Sequence, residues 1–571
     1  MRTLTGIFLT LVLIIFFGHC SKDIPEKEVP GTIDKDTLEA FVPKEHPIQV
    51  QNDGGEAVFW NTDNDSIFVP RGVNYFWIVS ANGGYQDRFF GLGIFDRVRI
   101  RADFRSLKEN GFNVVRIFFD SCNDDPICIG NPEANGLNGS YIDNIVTTME
   151  IAKEEGLFLM LTSNDLPGQG GYWDMVDRGV NDNFGPYRNA NYLTGSGVEA
   201  AVTYWGDVMR ALADRDAPFE SVFAWSLLNE QWYITNEPPF SLSSGMVTCA
   251  NGNTYDMGSQ ADKKAMAVEG MEYYIRRIRD TIDNYDPNAL VTMGFFVPDY
   301  PNPMRAGDFR YVETAGLLNT GPLDFFDFHA YPGVEPLGKI AENFGMIGYT
   351  SKPVIMGEFG AFLNNYSDQA DAIDAIQAWM AESCQYGFDG WIYWGLYRAP
   401  IGIGDATWGF MDNDREIMDA MAPVNFPDAC DPSLLPPRNI AVGALTDASA
   451  FLSDQTPGMA VDNDLSTQWG SGDYAPQWLK IDLGSDHPVG TIKLHVAQYP
   501  AGITVHKLEA GSTGWDWVTL DTFSGNTKDG DVLSWTSDGG TESYRFIIIT
   551  TGESPSWVSW REVEVFEDIL P

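Results

Sequence analysis

Between residues 47 and 430, short apolar segments alternate regularly with amphipathic helical patterns, and this alternation restricts the fold more than any other feature. The apolar segments are rich in β-branched, aromatic and aliphatic residues, as expected of strands buried on both faces. The predicted strands are Phe68–Tyr75, Asn113–Phe119, Leu157–Thr162, Ser221–Leu228, Ala289–Phe295, Phe325–Ala330, Pro353–Gly357 and Gly390–Gly395. The helical patterns include Phe95–Asn110, Ile142–Glu155, Glu199–Arg215, Lys263–Tyr285 and Gln369–Tyr386.

Eight consecutive βα units predict a (β/α)8 barrel of the α/β class with long loops, preceded by a lead-in hairpin, over residues 47–430. An open doubly wound sheet is the alternative, but no glycine-rich phosphate-binding loop follows an early strand. Prolines mark a linker over residues 431–440. Beyond it, residues 441–571 show short alternating strands with many Gly, Asp and Trp residues, which predicts an all-β sandwich.

The N-terminus has the pattern of an export signal. Arg2 precedes an apolar run, Leu4–Phe17, that is short for a membrane span. The run ends at Cys20 in a sequence that resembles a bacterial lipobox, although His19 departs from the small residue usual there. We therefore predict a signal peptide over residues 1–19, lipidation of Cys20 and a polar linker over residues 20–46. The expected location is the bacterial outer membrane, as a lipoprotein facing the cell surface or periplasm; ordinary secretion is the alternative.

The chain contains six cysteines. Cys122 and Cys128 lie in one loop, and in an exported protein they are expected to form a short disulfide. Cys384 lies in an apolar helical pattern and is expected to be a core residue. Cys249 and Cys430 are left either to pair with each other or to remain unpaired.

The chain is strongly acidic, with 36 Lys and Arg residues against 80 Asp and Glu residues and a formal net charge of −44. Nucleic acids are bound largely through Lys and Arg contacts to phosphates. The charge therefore argues against a nucleic-acid partner, and we expect the acidity to favour solubility. The expected state is a monomer.

In barrels of this type, functional side chains lie where the strands end at the C-terminal face. The second predicted strand carries Arg116, and the polar and aromatic residues at or next to the ends of later strands are Asn229, Glu230, His329, Tyr331, Glu358 and Trp394. Two carboxylates at one barrel mouth suit the hydrolysis of a glycosidic bond. One attacks the anomeric carbon, and the other protonates the leaving oxygen and then activates water. Retention of configuration requires a separation of about 5 Å.

The order of these residues resembles that in clan A glycoside hydrolases, most closely family 5, which includes cellulases and β-mannanases. The resemblance implies a nucleophilic Glu358, an acid/base Glu230 and no cofactor for catalysis. The acid/base role also requires a pKa of Glu230 above that of free glutamate, about 4.3. The family's histidine near the end of the third strand is missing, because the sequence there is Thr162-Ser163-Asn164-Asp165.

The same resemblance implies roles for the other strand-end residues. Asn229 would hold the sugar 2-hydroxyl, while Arg116 and Tyr331 would position Glu358 and keep it ionised. His329 would line the catalytic subsite, and Trp394 would form its floor. The expected substrate is a neutral β-1,4-linked polysaccharide, mannan or glucan. The alternatives are an exo-acting β-glycosidase of the same clan and a non-catalytic surface glycan-binding lipoprotein.

The loops over the predicted mouth contain many aromatic residues, some of which are expected to stack on sugar rings. They are Trp77, Tyr172, Trp173, Trp232, Tyr233, Tyr397 and Trp408. Arg178, Arg188 and Arg398 lie in the same loops. These arginines either bind an acidic sugar or form surface ion pairs, and the strong acidity of the chain favours ion pairs.

The C-terminal region resembles the coagulation factor 5/8 type C (discoidin-like) domain, which in glycosidases is carbohydrate-binding module family 32. The motifs are Met459–Trp469, Pro476–Gly484 and Trp560–Phe566. The resemblance implies a structural calcium ion held by Asp462, Asp464, Thr467 and Glu562, and oxygen ligands of this kind suit calcium. The alternative is a loop held by bonds from Asp to the backbone. Candidate sugar contacts are His495, Trp515 and Arg545.

Overall fold

The computed structural model describes residues 45–76, 89–120, 128–178, 183–297, 309–333, 335–398, 406–434, 439–537 and 543–567. The eight predicted strands are all present and form one closed parallel barrel. Their observed bounds are β1 (Arg71–Asn74), β2 (Val114–Phe118), β3 (Phe158–Thr162), β4 (Val222–Ser226), β5 (Leu290–Thr292 and Gly294–Phe295), β6 (Phe326–His329), β7 (Val354–Phe359) and β8 (Gly390–Tyr393).

The barrel closes because β8 pairs with β1, and β5 joins its two neighbours in an unusual way. Its first segment pairs with β4 and its second with β6, with a break in the ladder at Met293. The break is the main difference from the predicted strands. It leaves the barrel continuous, because each half of β5 is hydrogen-bonded to one neighbour.

Helices between the strands cover the barrel. The longer ones are Arg97–Glu109, Gly139–Glu155, Gly195–Ala213, Gln260–Ile282, Leu337–Phe344 and Gln369–Cys384. The shorter ones are Tyr172–Met175, Arg188–Leu193, Ala315–Thr320 and Glu416–Met421. Several begin at an N-cap that the sequence supplies. Asp96, for example, accepts from the backbone N–H groups of Val98 and Arg99, which satisfies two otherwise unpaired donors.

A hairpin closes the N-terminal end of the barrel. It consists of Ile48–Asp53 and Glu56–Asn61, with a short third strand, Ser66–Ile67. Ile48 and Phe59 are almost completely buried against residues at the starts of the barrel strands. The predicted lead-in hairpin is therefore confirmed, and its apolar face completes the core at this end.

The C-terminal region is an all-β sandwich with antiparallel strands. Its strands are Leu445–Ala448, Trp469–Tyr474, Gln477–Val496, Gly502–Gly511, Val518–Thr527, Val532–Thr536, Ser543–Glu553 and Trp557–Glu567. The long strand Gln477–Val496 takes part in both sheets, pairing with Ser543–Glu553 through its first half and with Trp557–Glu567 through its second. Trp469 and Trp560 are fully buried between the sheets.

The prediction that Cys384 is an unpaired core residue is wrong. Cys384 is the last residue of the observed helix Gln369–Cys384, and it forms a disulfide with Cys430, with a Cα–Cα distance of 5.7 Å, so it is not a core thiol. Cys249 is a buried free thiol, so its pairing with Cys430 is excluded. Cys128 is disulfide-bonded; its predicted partner Cys122 lies outside the described residues, as does Cys20. In the described part of the chain, no helix has the length and hydropathy needed to cross a membrane.

Candidate functional site

Arg116 and Glu358 form a buried ion pair at the C-terminal end of the barrel. Arg116 lies on β2 and Glu358 near the end of β7, which places them across the barrel interior. Arg116 Nη1 donates to Glu358 Oε1 at 2.7 Å, and the two side chains are 0% and 6% exposed. A guanidinium buried this deeply is tolerated because a carboxylate pairs with it and further acceptors satisfy its other N–H groups.

Asn74 and Asn229 are two of those further acceptors. The Oδ1 atom of Asn74 accepts from Arg116 Nη1 at 2.7 Å, and the Oδ1 atom of Asn229 accepts from Nη2 at 2.7 Å. Asn74 also donates to the carbonyl of Gly357, next to Glu358, at 2.9 Å. Asn74 was not among the predicted site residues, although it ends β1 and the strand-end rule that pointed to Asn229 applies to it equally.

Glu230 follows β4 and contacts His329, the last residue of β6. The Oε1 atom of Glu230 lies 2.8 Å from His329 Nδ1. The same imidazole nitrogen is 3.5 Å from Glu358 Oε2, which also accepts from the Tyr331 hydroxyl at 3.0 Å. Glu230, His329 and Glu358 each contribute one side-chain nitrogen or oxygen atom, and these three atoms all lie within 4.8 Å of one another. The two predicted catalytic carboxylates therefore meet at one place.

A third carboxylate, Asp327, lies beneath this group. It is fully buried on β6, with its oxygens 3.7 Å from Arg116 Nε and 3.6 Å from His329 Nε2. A Cβ atom on Gly357 would lie only 1.9 Å from Asp327 Oδ1, so glycine is required immediately before Glu358. The sequence analysis missed Asp327, because a single Asp inside an apolar strand has no distinguishing spacing.

The electrostatics of the site depend on His329. Burial alone would lower the pKa of His329. The nearby Glu358 and Asp327 carboxylates have the larger, opposite effect and raise this pKa from 6.5 to about 10. The protonated ring therefore donates from Nδ1 to Glu230. Burial raises the pKa of Glu230, yet the His329 hydrogen bond and charge and the more distant Arg116 together lower it below that of free glutamate. Burial dominates at Glu358 and raises its pKa.

These directions differ from the sequence-based expectation for the free site. The acid/base role predicted a raised pKa for Glu230, whereas its contact with an imidazolium lowers it. The sequence could not show this, because the distance between residues 230 and 329 depends on the closed barrel. The difference from the expectation is therefore which of the two side chains, Glu230 or His329, holds the proton of their shared hydrogen bond.

Trp394 follows β8 and is partly exposed beside these groups. Its ring lies 5.0 Å from that of Phe76 and 5.8 Å from that of Phe118, between centroids. Phe118 also lies under the Arg116 guanidinium at 4.9 Å. The indole is thus held by packing from two sides, as a fixed surface for a ligand would require.

The aromatic residues of the predicted loops divide into two groups. Tyr172 and Tyr233 are buried and donate to Asp207 and to the carbonyl of Ala267, so they are structural. Tyr397 donates to Asp103, and the Trp408 indole donates to the carbonyl of Tyr366. Trp173 and Trp232 are partly exposed and each carries an arginine on its face. Trp77 lies outside the described residues.

The three loop arginines also differ. Arg398 pairs with Asp412 at 2.7 Å, which is the expected ion pair. Arg178 lies over Trp173 at 3.6 Å and donates to Asn191 at 2.7 Å. Arg188 lies over Trp232 at 4.2 Å and donates to the backbone carbonyl of Glu230 at 2.9 Å.

The C-terminal sandwich has a cavity of about 470 Å³. Three exposed aromatic residues line it, namely Tyr474, Tyr499 and Trp557, with exposures of 58%, 88% and 49%. Its polar lining includes Gln498 and Arg561. The combination of flat aromatic faces with amide and guanidinium donors can hold a ring that carries hydroxyl groups.

None of the three candidate sugar contacts named from the sequence lines this cavity. His495 Nε2 lies 2.8 Å from Glu564, and Arg545 forms a two-pronged pair with Asp482. Trp515 is 91% exposed elsewhere in the domain. The aromatic residues that line the cavity lie at a strand end (Tyr474), at a strand start (Trp557) and between strands (Tyr499), and only the strand pairing brings them together.

The predicted calcium ligands surround the loop at residues 462–467. Asp462 accepts from Thr467 Oγ1 at 2.9 Å, and Glu562 Oε1 accepts from the Asn463 N–H at 3.2 Å. Glu562 Oε2 is buried without a hydrogen-bond partner among the described residues. Burial raises the pKa of Glu562 to about 7, and Asp462 adds to the effect. An unsatisfied oxygen beside a second carboxylate fits a hard cation.

Asp464 differs from the other predicted ligands. Its carboxylate is exposed and accepts from the Ser466 N–H at 2.8 Å, a bond that holds the loop to itself. Its own N–H donates to Asp462 at 3.1 Å. Asp462, Thr467 and Glu562 thus lie together around one loop, whereas Asp464 accepts from the backbone of that loop. These contacts are compatible with both alternatives from the sequence, and the calcium site stays a prediction.

Comparisons with known proteins concern the two regions separately. Chitosan-binding module 2 of a chitosanase/glucanase from Paenibacillus sp. IK-5, solved with chitotriose, is 25% identical and covers 22% of this chain and 99% of its own, with a TM-score of 0.20. The family 32 CBM of C. perfringens NanJ, solved with galactose, is 21% identical and covers 22% and 93%, with a TM-score of 0.19.

The endo-1,4-beta-mannanase of Rhizomucor miehei is 16% identical and covers 66% of this chain and 100% of its own, with a TM-score of 0.47. No curated protein matches the chain at a significant level. The family model of the F5/8 type C domain matches residues 444–563. This C-terminal part of the chain is an F5/8 type C domain.

Proposed function

We propose that the barrel is a retaining glycoside hydrolase that cleaves a β-linked polysaccharide, β-1,4-mannan or glucan, by double displacement. The observation that carries the proposal is the convergence of Glu230 and Glu358, with oxygens within 4.8 Å, at the C-terminal end of the barrel. In retaining enzymes the two carboxyl groups lie about 5–5.5 Å apart, whereas inverting enzymes need about 6.5–9.5 Å to admit a water molecule.

The surroundings of the two glutamates favour distinct roles. Glu358 receives one bond from Arg116 and one from Tyr331, which fix both oxygens, and the Arg116 contact favours the ionised form against the larger opposing effect of burial. Glu230 is 25% exposed, four times as much as Glu358, and its contact is with the titratable His329. A partly exposed carboxyl beside a proton donor suits protonation of a leaving oxygen.

A proton on the Glu230–His329 pair reconciles the lowered pKa of Glu230 with an acid role. The free site holds this proton on His329, and catalysis needs it on Glu230. The two forms carry the same net charge and differ by one transfer along a 2.8 Å hydrogen bond. The pair therefore titrates as a unit. The pH profile of kcat/KM should be a bell whose alkaline limb reports loss of this shared proton.

The acidic limb should report Glu358. Because burial raises the pKa of Glu358, the nucleophile ionises at a higher pH than free glutamate does. We expect the acidic limb to lie above about pH 4.3. Activity is lost as the pH falls through this limb, since a protonated carboxyl cannot attack the anomeric carbon.

Paired variants of the two glutamates test the proposal. Glu358→Ala should cut turnover by about 10³-fold or more, and azide should restore part of the activity as a glycosyl azide of inverted configuration. Glu230→Gln should slow natural glycans far more than aryl glycosides with good leaving groups, which need no proton. Near-normal turnover of mannan and glucan by both variants would exclude this mechanism.

Product sizing distinguishes the alternatives. An endo-acting enzyme releases a range of oligosaccharides from mannan or glucan, whereas an exo-acting β-glycosidase releases one small sugar from the start. A glycan-binding lipoprotein without catalysis would bind the polysaccharides and release nothing. The presence of the buried Arg116–Glu358 pair argues against pure binding, because a binder has no need to maintain so costly an arrangement.

We further propose that the C-terminal domain binds carbohydrate in the cavity lined by Tyr474, Tyr499 and Trp557, and that calcium stabilises it at Asp462, Asp464, Thr467 and Glu562. Trp557→Ala in the full chain should abolish retention on the insoluble polysaccharide while hydrolysis of soluble oligosaccharides continues; Trp515→Ala is the matched exposed control.

The calcium site is tested separately. Calcium should raise the melting temperature over that measured in chelator, because it binds only the native state. Equal melting temperatures would exclude the ion.

The N-terminal prediction also remains a proposal, namely export with lipid attachment at Cys20. Cys20→Ser should release the protein from the membrane fraction of the producing bacterium. A wild-type chain recovered without acyl groups by mass spectrometry would favour ordinary secretion.

We also propose that the protein is a monomer that binds no nucleic acid. Sedimentation in the presence and absence of DNA would test both parts of this proposal.

A further inference from the structure

Arg188 lies beside the proposed acid/base and contacts it through the backbone. It begins the short helix Arg188–Leu193, in the connection between β3 and β4. Its Nη1 atom donates to the Glu230 carbonyl at 2.9 Å and to the Tyr192 hydroxyl at 3.2 Å. Its guanidinium also lies 4.2 Å from the ring centroid of Trp232, two residues after Glu230. One side chain therefore holds the segment that carries Glu230 at two points.

The charge of Arg188 is stabilised by neighbouring groups and not by a direct salt bridge, and these groups outweigh burial and raise its pKa. It forms no ion pair with a carboxylate anywhere in the described ranges, and its buried Nε atom has no acceptor there. The titratable groups around it are Tyr187, Tyr192, Asp165 and Glu230. Around Glu230 the charged groups are His329, Arg116, Arg188 and Glu358. Arg215, which is also partly exposed, differs in having a carboxylate at hydrogen-bond distance, that of Asp143.

Arg188 is partly buried, and the nearby Asp165 and Glu230 carboxylates offset the cost of its charge. A neutral donor could hold the same carbonyl, but only a cation also lowers the pKa of Glu230, as Arg188 does here. Asp165, one of its neighbours, occupies the region after β3 where the predicted family histidine is missing. The region after β3 is thus built differently here, around an arginine that reaches the acid/base segment.

We propose that Arg188 is a positioning residue for Glu230: it fixes the Glu230–Trp232 segment through the carbonyl bond and the ring contact, and its positive charge sets the pH at which the site loses its catalytic proton. The proposal rests on the glycosidase function proposed above. It goes beyond that function because it assigns the acid/base a partner outside the strand ends of the barrel.

Two substitutions separate the two effects. Arg188→Met removes the charge and both contacts at similar length. It should lower turnover of polysaccharide by ~10–100-fold through misplacement of Glu230. It should also move the alkaline limb of kcat/KM upward by about one pH unit, because loss of a nearby positive charge makes the shared proton harder to remove. Arg188→Lys keeps the charge without the planar fork, so turnover should fall while the alkaline limb stays in place.

Arg178→Met is the matched control. Arg178 makes the same kind of contact with an aromatic ring, Trp173, but its hydrogen bonds go to the Trp173 carbonyl and to Asn191. Its removal should leave the alkaline limb where it is. Circular dichroism and melting temperature show whether each variant is folded, and aryl glycosides with good leaving groups should lose less rate than polysaccharide in Arg188→Met.

The outcomes distinguish this proposal from the underlying function. If the wild-type chain hydrolyses neither polysaccharides nor aryl glycosides, the glycosidase function itself is wrong. If the wild type is active and a folded Arg188→Met variant keeps the wild-type alkaline limb, the positioning role is overturned. An equal upward shift in Arg188→Lys would also overturn it, because the limb would then respond to geometry and not to charge.

Discussion

At the scale of single residues, the proposed active site is a balance of buried charges. Glu230, Asp327 and Glu358 face Arg116 and His329 in a space from which water is largely excluded. The sequence indicated four of these five residues, because Glu230, His329 and Glu358 lie at or near strand ends and Arg116, inside β2, fits the order of the resemblance. Asp327 was missed because a single Asp inside an apolar strand has no distinguishing spacing, and Asn74 was missed although it ends β1.

The contact between Gly357 and Asp327 gives a prediction. An added methyl group at residue 357 would collide with the Asp327 carboxylate at 1.9 Å, so Gly357→Ala must displace Asp327 or Glu358. We expect a loss of about 1–3 kcal/mol of stability and a fall in turnover of roughly 10²-fold. Denaturant unfolding and kinetics measure the two effects. Gly195→Ala, where a Cβ meets open space, is the control; equal behaviour of the two variants would contradict the prediction.

A second residue-scale prediction concerns His506 in the sandwich. Its ring lies 4.7 Å from Trp560, its Nδ1 atom lies 2.9 Å from Thr551 Oγ1, and burial lowers its pKa from 6.5 to about 4. Above pH 6.5 the ring is neutral in both folded and unfolded chains. As the pH falls from 6.5 to 4, the unfolded chain gains a proton that the native domain resists.

The sandwich should therefore lose up to about 3 kcal/mol of stability over this range from His506 alone. His506→Phe keeps a flat ring against Trp560 and removes the titration. Calorimetry of the full chain at several pH values should show a shallower decline for the C-terminal transition in the variant. An identical decline in both proteins would mean that His506 does not contribute.

At the scale of elements, the strands were predictable because they are buried on both faces. A run such as Val114–Phe118 has no polar alternation, and it was located within one residue of its observed ends. The split of β5 was not predictable, because Met293 is as apolar as its neighbours and the break arises from the different pairing of the two segments. Disulfide connectivity was also beyond the sequence, since Cys384 and Cys430 are 46 residues apart.

The disulfide gives the element-scale prediction. It ties the end of helix Gln369–Cys384 to the segment after the last barrel helix, and it restricts the unfolded chain over a loop of 46 residues. Cys430→Ser should lower the free energy of unfolding by about 2–4 kcal/mol. Thermal unfolding of the variant measures the loss. The buried free thiol provides the control, because Cys249→Ser removes no cross-link. No difference between the variants would show that the cross-link adds nothing.

At the scale of the whole molecule, the dominant quantity is the net charge of −44. Such a charge favours solubility and destabilises the compact state by self-repulsion. We expect the melting temperature to rise as NaCl increases from about 0.01 M to about 1 M, which shortens the Debye length from about 30 Å to about 3 Å. KCl should act equally if screening is the cause. A falling melting temperature in both salts would show that attractive ion pairs outweigh the repulsion.

The hairpin at the N-terminal end of the barrel restricts where a substrate can bind. Because Ile48, Phe59 and Phe68 are buried there with residues from the starts of the barrel strands, apolar side chains fill that end of the barrel. A polysaccharide substrate of the proposed enzyme would therefore have to bind across the opposite, C-terminal rim. Both products of the proposed cleavage would leave from that same face.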